Sequence, residues 1–282
     1  MPTCAAIILA GGRSSRMGSP KAALDWHGST LLRRVTGIAA RTVDGPVVVV
    51  RAPGQELPEL HHDVEIVDDA REGRGPLQGL AAGLAAIGDR AQFAYATSTD
   101  VPLLHPAFIA RVLGAADDAV DVVLPDVRGH RQPLAAAYRT GLLDLVDELL
   151  AADRLRPAFL FERCRVVSLD DAAMLADSAL ARADPQLVSV DNLNEPADYE
   201  RALARAAPEI AVRRFGTLAG GDGARRHTVR AWSLGELAAT AGVELEQRHV
   251  VAALNGDRIS SDPELPLVAG DEIALMAADA GG

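Results

Sequence analysis

The segment LAGGRSSRMGSPKAAL, residues 9–24, sets Gly11, Gly12 and Gly18 beside Arg13, Arg16 and Lys21, directly after an apolar run. Glycines let a backbone approach a ligand and turn several N–H groups into one concavity, which suits phosphate oxygens. Lys21 is the single lysine among 28 Lys and Arg residues. Arginine presents a wide planar fork, whereas lysine is a compact charge on a flexible stem that can follow a phosphate as charge develops during transfer. A chain biased toward arginine that keeps one lysine here therefore points to chemistry specific to that position; an ordinary solvated loop is the competing reading. The loop is not a Walker A sequence, because five residues separate Gly12 from Gly18 and Ser19-Pro20 precedes the lysine, and it lacks G-x-G-x-x-G. No histidine stands in an H-x-x-x-H or H-E-x-x-H arrangement, and His61 and His62 read as solvent-facing loop residues. The lack of a nucleophile–base pair agrees with direct transfer between phosphates, where positioning and electrostatics supply most of the catalysis.

Such a loop needs a scaffold, and the pattern from Thr3 to about Ala206 describes one. CAAIILA, PVVVVRA, FAYATS and DVVLPDV read as buried strands, with STLLRRVTGIAART, LQGLAAGLAAIGD and HPAFIARVLGAA as helices between them. Strand–helix alternation of this kind predicts an α/β domain with a mostly parallel sheet covered on both faces, and ligands at the carboxyl ends of its strands. After a last helix, EPADYERALARAA, the texture changes near Pro208. EIAVRRFG and RRHTVRAW, the helix SLGELAATAG, then HVVAALNGDRI and DEIALMA form an α+β pattern too short to continue the first sheet. The expected domains are residues 1–207 and 208–282.

Composition narrows the partners. A hydrophobic fraction of 49% describes a folded chain, and a net charge of −11 argues against a nucleic-acid backbone as ligand while leaving a small anion possible. No run approaches the length of a membrane span, and the start lacks the basic, apolar layout of a signal peptide. Cys4 and Cys164 form no C-x-x-C pair and are expected to be buried, reduced thiols in a cytoplasmic protein.

LAGGRSSRMGSPKAAL resembles the signature of the molybdenum cofactor guanylyltransferases, which transfer GMP from GTP to molybdopterin; the resemblance extends over most of residues 3–206. It implies a Rossmann-like nucleotidyltransferase fold, GTP as substrate, Mg²⁺ as cofactor and molybdopterin as acceptor. By this resemblance Leu9, Ala10, Gly11, Gly12, Arg13, Gly18 and Lys21 hold the nucleotide, with Lys21 and Arg16 catalytic. Pro20 departs from the family, where aspartate is more usual before the lysine.

Three further segments carry the likeness. In VDDAREGRGPLQGLAAGL, Gly75, Pro76, Leu77 and Gly79 match the family's second glycine motif beside the base, with Asp68 or Asp69 ahead of it; as a bare pattern this is also a helix start with proline in its first turn. In STDVP, Asp100 matches the family's magnesium-binding and catalytic aspartate, and a carboxylate at a strand's end suits Mg²⁺, although read alone it is equally a turn cap. In VDNLNEPADY, Asn192 and Asn194 match paired asparagines that hold the pterin or complete the metal environment; Asn194 could also cap a helix beginning at Pro196. Gln132 and Pro133, in RQPLAAAY, resemble the strand facing the acceptor.

The final residues resemble the small, ubiquitin-like sulfur carrier of molybdopterin synthase, through VVAALNGDRI, LPLVAGDEIALMAADAGG and the terminal Gly281-Gly282. That likeness implies a β-grasp fold, a thiocarboxylate at Gly282, and two partners: an adenylating enzyme and the large subunit of molybdopterin synthase. Alanines and Asp279 replace the usual prolines before the tail, and a flexible tail is the plain alternative. Two other functions stay open: a cytidylyltransferase or another nucleotidyltransferase of the same fold, and a non-catalytic carrier or scaffold.

Overall fold

The computed structural model describes residues 2–11, 20–69, 71, 73–216, 218, 226–245 and 250–277. They group into two compact units, Met1–Trp26 with Thr30–Tyr199, and His27–Ser29 with Glu200–Gly282. Up to Leu203 the chain runs β1 (Cys4–Leu9), β2 (Asp25–Trp26), β3 (Ser29–Thr30), α1 (Leu31–Ala40), β4 (Val47–Arg51), β5 (Val64–Asp68), α2 (Pro76–Ile87), β6 (Phe93–Ser98), α3 (Pro106–Leu113), β7 (Val122–Val127), β8 (His130–Arg131), β9 (Ala135–Arg139), α4 (Leu143–Ala151), α5 (Pro157–Phe161), β10 (Val166–Asp170), α6 (Asp171–Leu175), α7 (Ser178–Ala183) and α8 (Pro196–Leu203).

The first unit is built on one sheet, ordered β10-β7-β9-β6-β1-β4-β5, with β8 paired to β7. Its central strands β1, β4 and β6 are the most apolar runs, and Ala6, Ile7, Ile8, Val48 and Val49 are wholly buried, as expected of parallel strands covered on both faces. β1 pairs in parallel with β4 on one side and β6 on the other. The chain moves outward from β1 to β5 and then returns across β1 to β6, which makes the carboxyl ends of β1 and β6 a topological switch point where a crevice opens. β9 enters between β6 and β7 antiparallel to both. β8 and β9 both run back along β7 after the tight turn that follows it, and so short a return pairs antiparallel.

Helix α2 positions one wall of that crevice. Pro76 occupies its first turn behind Gly75, whose φ of 84° favours glycine. A Cβ on Gly83 would fall 2.6 Å from Ile7 Cγ2, and one on Gly79 2.9 Å from Leu9 Cδ2. The two glycines thus let α2 lie close against β1.

In the second unit, β11 (Glu209–Phe215), β12 (His227–Arg230), α9 (Leu234–Thr240), β13 (Val250–Leu254), β14 (Arg258–Ser260) and β15 (Glu272–Ala277) form a separate sheet ordered β12-β11-β15-β13-β14 with one helix. β11 and β15 are parallel, and the other pairs are antiparallel. Leu234, Leu237 and Ala238 of α9 share a core with Ile210, Val212, Ala252, Ile273 and Leu275. Ser233 caps α9 by accepting from Glu236 N–H, while Glu236 accepts from Trp232 N–H, a reciprocal cap that fixes where the helix starts.

Both cysteines differ from the expectation of full burial: Cys4 and Cys164 are each partly exposed free thiols. Partial burial still pushes both upward, Cys164 to about 11, because the apolar surroundings disfavour the thiolate. Among the described residues, no helix is long and apolar enough to cross a membrane.

Candidate active site

The strand ends at the switch point are tied together before any ligand is considered. Ala10 and Gly11 N–H both donate to Val50 O, at 2.8 and 3.2 Å. Gln55 bridges the same loops: its Nε2 donates to Ala10 O at 3.1 Å, and its Oε1 accepts from Ala52 N–H at 3.0 Å. A Cβ on Gly11 would lie 3.2 Å from Ala52 N, so glycine permits this close approach. Gly12, Arg13, Arg16 and Gly18 lie outside the described residues. Lys21 follows Pro20 and opens a short 3₁₀ turn in which Leu24 N–H donates to Lys21 O.

Lys21 Nζ donates to Asp100 Oδ2 at 2.9 Å. Asp100 lies just past β6, and its Oδ1 accepts from the Ser98 hydroxyl. Both Lys21 and Asp100 keep a fifth or less of their side-chain surface exposed, 20% and 16%, enough to meet a ligand while solvent screening is reduced. Asp100 O also accepts from Leu193 N–H at 2.8 Å, which brings the segment around Asn192 to the same edge.

A cavity of about 750 Å³ opens here. Leu9, Ala10, Gly11 and Lys21 line it from the β1 side, and Asp69, Gly75, Pro76 and Gly79 from the entry to α2. Asp100, Gln132, Pro133 and Asn192 line the remaining wall. Three residues expected at the site lie elsewhere. Asp68 turns to Arg51, whose Nε it accepts at 2.7 Å; Leu77 is wholly buried in the core under α2; Asn194 is exposed, its N–H donating to Asp198 Oδ2 at 3.0 Å. Of the two asparagines only Asn192 lines the cavity, and of the two aspartates only Asp69. Ser98, Thr99, Gly73 and Arg131 line it too, and Gln55 braces it from behind. Ser98 stands two residues before Asp100 and Arg131 one before Gln132, the only signals that could have marked them.

The donor set fits magnesium. Asp100 supplies a hard carboxylate at the mouth of a strand, and Asp69 is the other carboxylate on the cavity wall among the described residues. Mg²⁺ is usually held by one or two carboxylates, with water and substrate phosphates filling its other positions. The one close group of three metal-type side chains among the described residues, His61, His62 and Asp63, is exposed and lines no part of the cavity.

A switch-point crevice walled by a lysine–carboxylate pair and a glycine-bounded helix start makes the first unit a nucleotidyltransferase. Residues 6–166 match the MobA-like NTP transferase domain, and the chain belongs to that family. It is 36% identical over 209 residues, 72% of this chain and 95% of the relative, to a probable molybdenum cofactor guanylyltransferase of Mycobacterium avium (strain 104). To the molybdenum cofactor guanylyltransferase of Desulfosudis oleivorans it is 30% identical over 205 residues, 72% of this chain and 96% of that one. Molybdopterin-guanine dinucleotide biosynthesis protein A from Archaeoglobus fulgidus shares the fold, with a TM-score of 0.56 at 21% identity over 70% of this chain and 96% of that one.

Proposed function

We propose that the enzyme transfers GMP from GTP to molybdopterin, releasing pyrophosphate. An oxygen of the acceptor's terminal phosphate attacks the α-phosphorus of GTP; the bond from that phosphorus to the oxygen bridging the β-phosphate breaks, and the electron pair leaves with pyrophosphate. Lys21 carries this reading, because its ammonium is held at the cavity wall where triphosphate charge has to be stabilised. Asp100, oriented by Ser98, would hold Mg²⁺, with Asp69 as the second carboxylate; bound there, the cation would neutralise phosphate charge. The wall of Gln132, Pro133 and Asn192 faces the acceptor. The names of the relatives favour guanine over cytosine. A turnover screen of GTP, CTP and ATP with molybdopterin tests the reading: selective use of GTP supports it, equal or better use of CTP makes the enzyme a cytidylyltransferase, and no turnover with any of the three overturns it.

We propose for the second unit a further role as a ubiquitin-like sulfur carrier. The reading draws on its central parallel pair flanked by antiparallel strands, with one helix, an order in keeping with a β-grasp. In this role the carboxylate of Gly282 attacks the α-phosphorus of ATP on an activating enzyme and releases pyrophosphate, sulfide-level sulfur then displaces AMP from the acyl adenylate, and the thiocarboxylate is delivered to the large subunit of molybdopterin synthase. Gly281 and Gly282 lie outside the described residues. Mass spectrometry after incubation with a matching activating enzyme, ATP and a sulfur source tests it: a gain of sulfur for oxygen at Gly282 supports the carrier, and an unchanged mass removes the role.

A further inference from the structure

The hairpin joining β7 to β8 turns through Arg128 and Gly129, with φ of 55° and 74°. Two successive left-handed residues make the tight primed turn that suits a twisted hairpin. The tip is pinned twice: Arg128 N–H donates to Asp171 Oδ1 at 2.9 Å, and its guanidinium donates to Asp191 Oδ1. Asp191 directly precedes Asn192 on the cavity wall, and Leu193 is hydrogen-bonded to Asp100 O. The ion pair therefore joins the hairpin to the same segment that the catalytic aspartate holds by its main chain.

At the base of the hairpin Arg131 lines the cavity, and its guanidinium has no hydrogen-bond or ion-pair partner among the described residues. Lys21 and Arg131 are the two cations on the cavity wall among those residues, and Lys21 is engaged with Asp100. A reaction that brings a phosphate acceptor up to a triphosphate has to overcome repulsion between two polyanions. A second cation lowers that cost, and a planar guanidinium matches phosphate oxygens two at a time.

We infer that Arg131 binds the terminal phosphate of the acceptor and that the Arg128–Asp191 pair is the positioning contact that holds the hairpin for it. The inference rests on the phosphate-acceptor reading above. Steady-state kinetics with GTP, Mg²⁺ and molybdopterin tests it. Arg131→Gln is expected to raise the KM for molybdopterin about tenfold or more while the KM for GTP stays within about twofold, the size of one charged hydrogen-bonding contact. Arg131→Lys recovers part of the loss, because the charge remains and the fork does not. Asp191→Asn raises the acceptor KM by a smaller factor without changing the KM for GTP. Dephosphorylated molybdopterin, used as a competitor, binds wild type and Arg131→Gln equally. An unchanged acceptor KM in Arg131→Gln, or an equal rise in both KM values, overturns the assignment while the transfer reaction stands. A wild-type enzyme that turns over no molybdopterin overturns both.

Discussion

Lys21 and Asp100 stand 79 residues apart in the chain and meet through a 2.9 Å contact between Nζ and Oδ2. The glycine-rich connection after β1 supplies the cation, and the turn after β6 supplies the carboxylate. Since β1 and β6 are adjacent and parallel, their carboxyl ends lie side by side, and the register Leu9↔Ser98 sets the two loops against each other. The contact with Asp100 holds the Lys21 ammonium at the cavity wall.

Lys21→Met is expected to lower kcat/KM by about 10²-fold, the usual cost of removing one preorganised stabiliser of transition-state charge. Lys21→Arg keeps the charge but spreads it over a wider plane, and a displacement on the scale of 1 Å is enough for a loss of about tenfold or more. Steady-state rates, with circular dichroism to confirm folding, check both. Wild-type turnover in Lys21→Arg would return the solitary lysine to chance.

Asp100→Asn preserves shape and removes the charge suited to a divalent cation. The expected result is a rate lower by about 10²-fold and a higher Mg²⁺ concentration at half-maximal rate. Titrating the rate with Mg²⁺ measures this, and an unchanged midpoint would transfer the main ligand role to Asp69. Ser98→Ala should shift the midpoint less, because it loosens the carboxylate without removing it.

The two glycines of α2 should respond differently to alanine. At Gly83 the new methyl meets Ile7 Cγ2, Cδ1 and Cγ1 at 2.6 to 2.8 Å. These atoms belong to a wholly buried, branched side chain, so overpacking outweighs the helix preference for alanine and costs about 1–3 kcal/mol. At Gly79 the methyl meets the end of Leu9, a flexible side chain that lines the cavity. Gly79→Ala is therefore expected to change the KM for nucleotide more than the melting temperature, and Gly83→Ala the reverse. Thermal melts and nucleotide kinetics on both variants separate the two.

Asp121 gives the first unit an acid-sensitive tie. Arg165 donates to its carboxylate from Nε, Nη2 and the main chain at 2.9, 2.6 and 2.9 Å, and the guanidinium holds the carboxyl at about 2 against an ordinary 3.8. A carboxylate depressed in the folded state contributes its stability fully above the unfolded value and loses it as pH falls toward the folded one. Asp121→Asn should lower the melting temperature at neutral pH and flatten its decline between about pH 4 and pH 2. A decline as steep as in wild type would exclude this pair as a source of the acid sensitivity.

The legible parts of the molecule were those whose apolar runs are long and whose ends carry glycine or proline. β1, β4 and β6, and the start of α2 at Pro76, follow directly from such runs. β5 and β10 are not legible in the sequence because their apolar residues come no more than two together between polar ones, at a half-exposed edge where no continuous apolar run forms. The short helices α5, α6 and α7 fell below the length at which helical periodicity can be read. At the site, a motif names residue types but not the direction of a side chain. Asp68 and Asp69 are neighbours in sequence, and strand alternation sends them different ways: Asp68 to Arg51 and Asp69 to the cavity. Gln55 escaped because its work is to brace two backbones that come together only in the fold.

The last strand of the second unit, β15, lies in the middle of its sheet, between β11 and β13. β11 with β12, and β13 with β14, are the pairs that precede β15 in the chain, and in each the inner strand has an edge that only β15 fills. The two hairpins can join only when residues 272–277 arrive and fill both edges at once, Phe215↔Met276 on one side and Val251↔Met276 on the other. Completion of this sheet therefore waits on the last strand of the unit, and pairing of such long range forms more slowly than a helix. Until then the open edges are sites for pairing with other nascent chains.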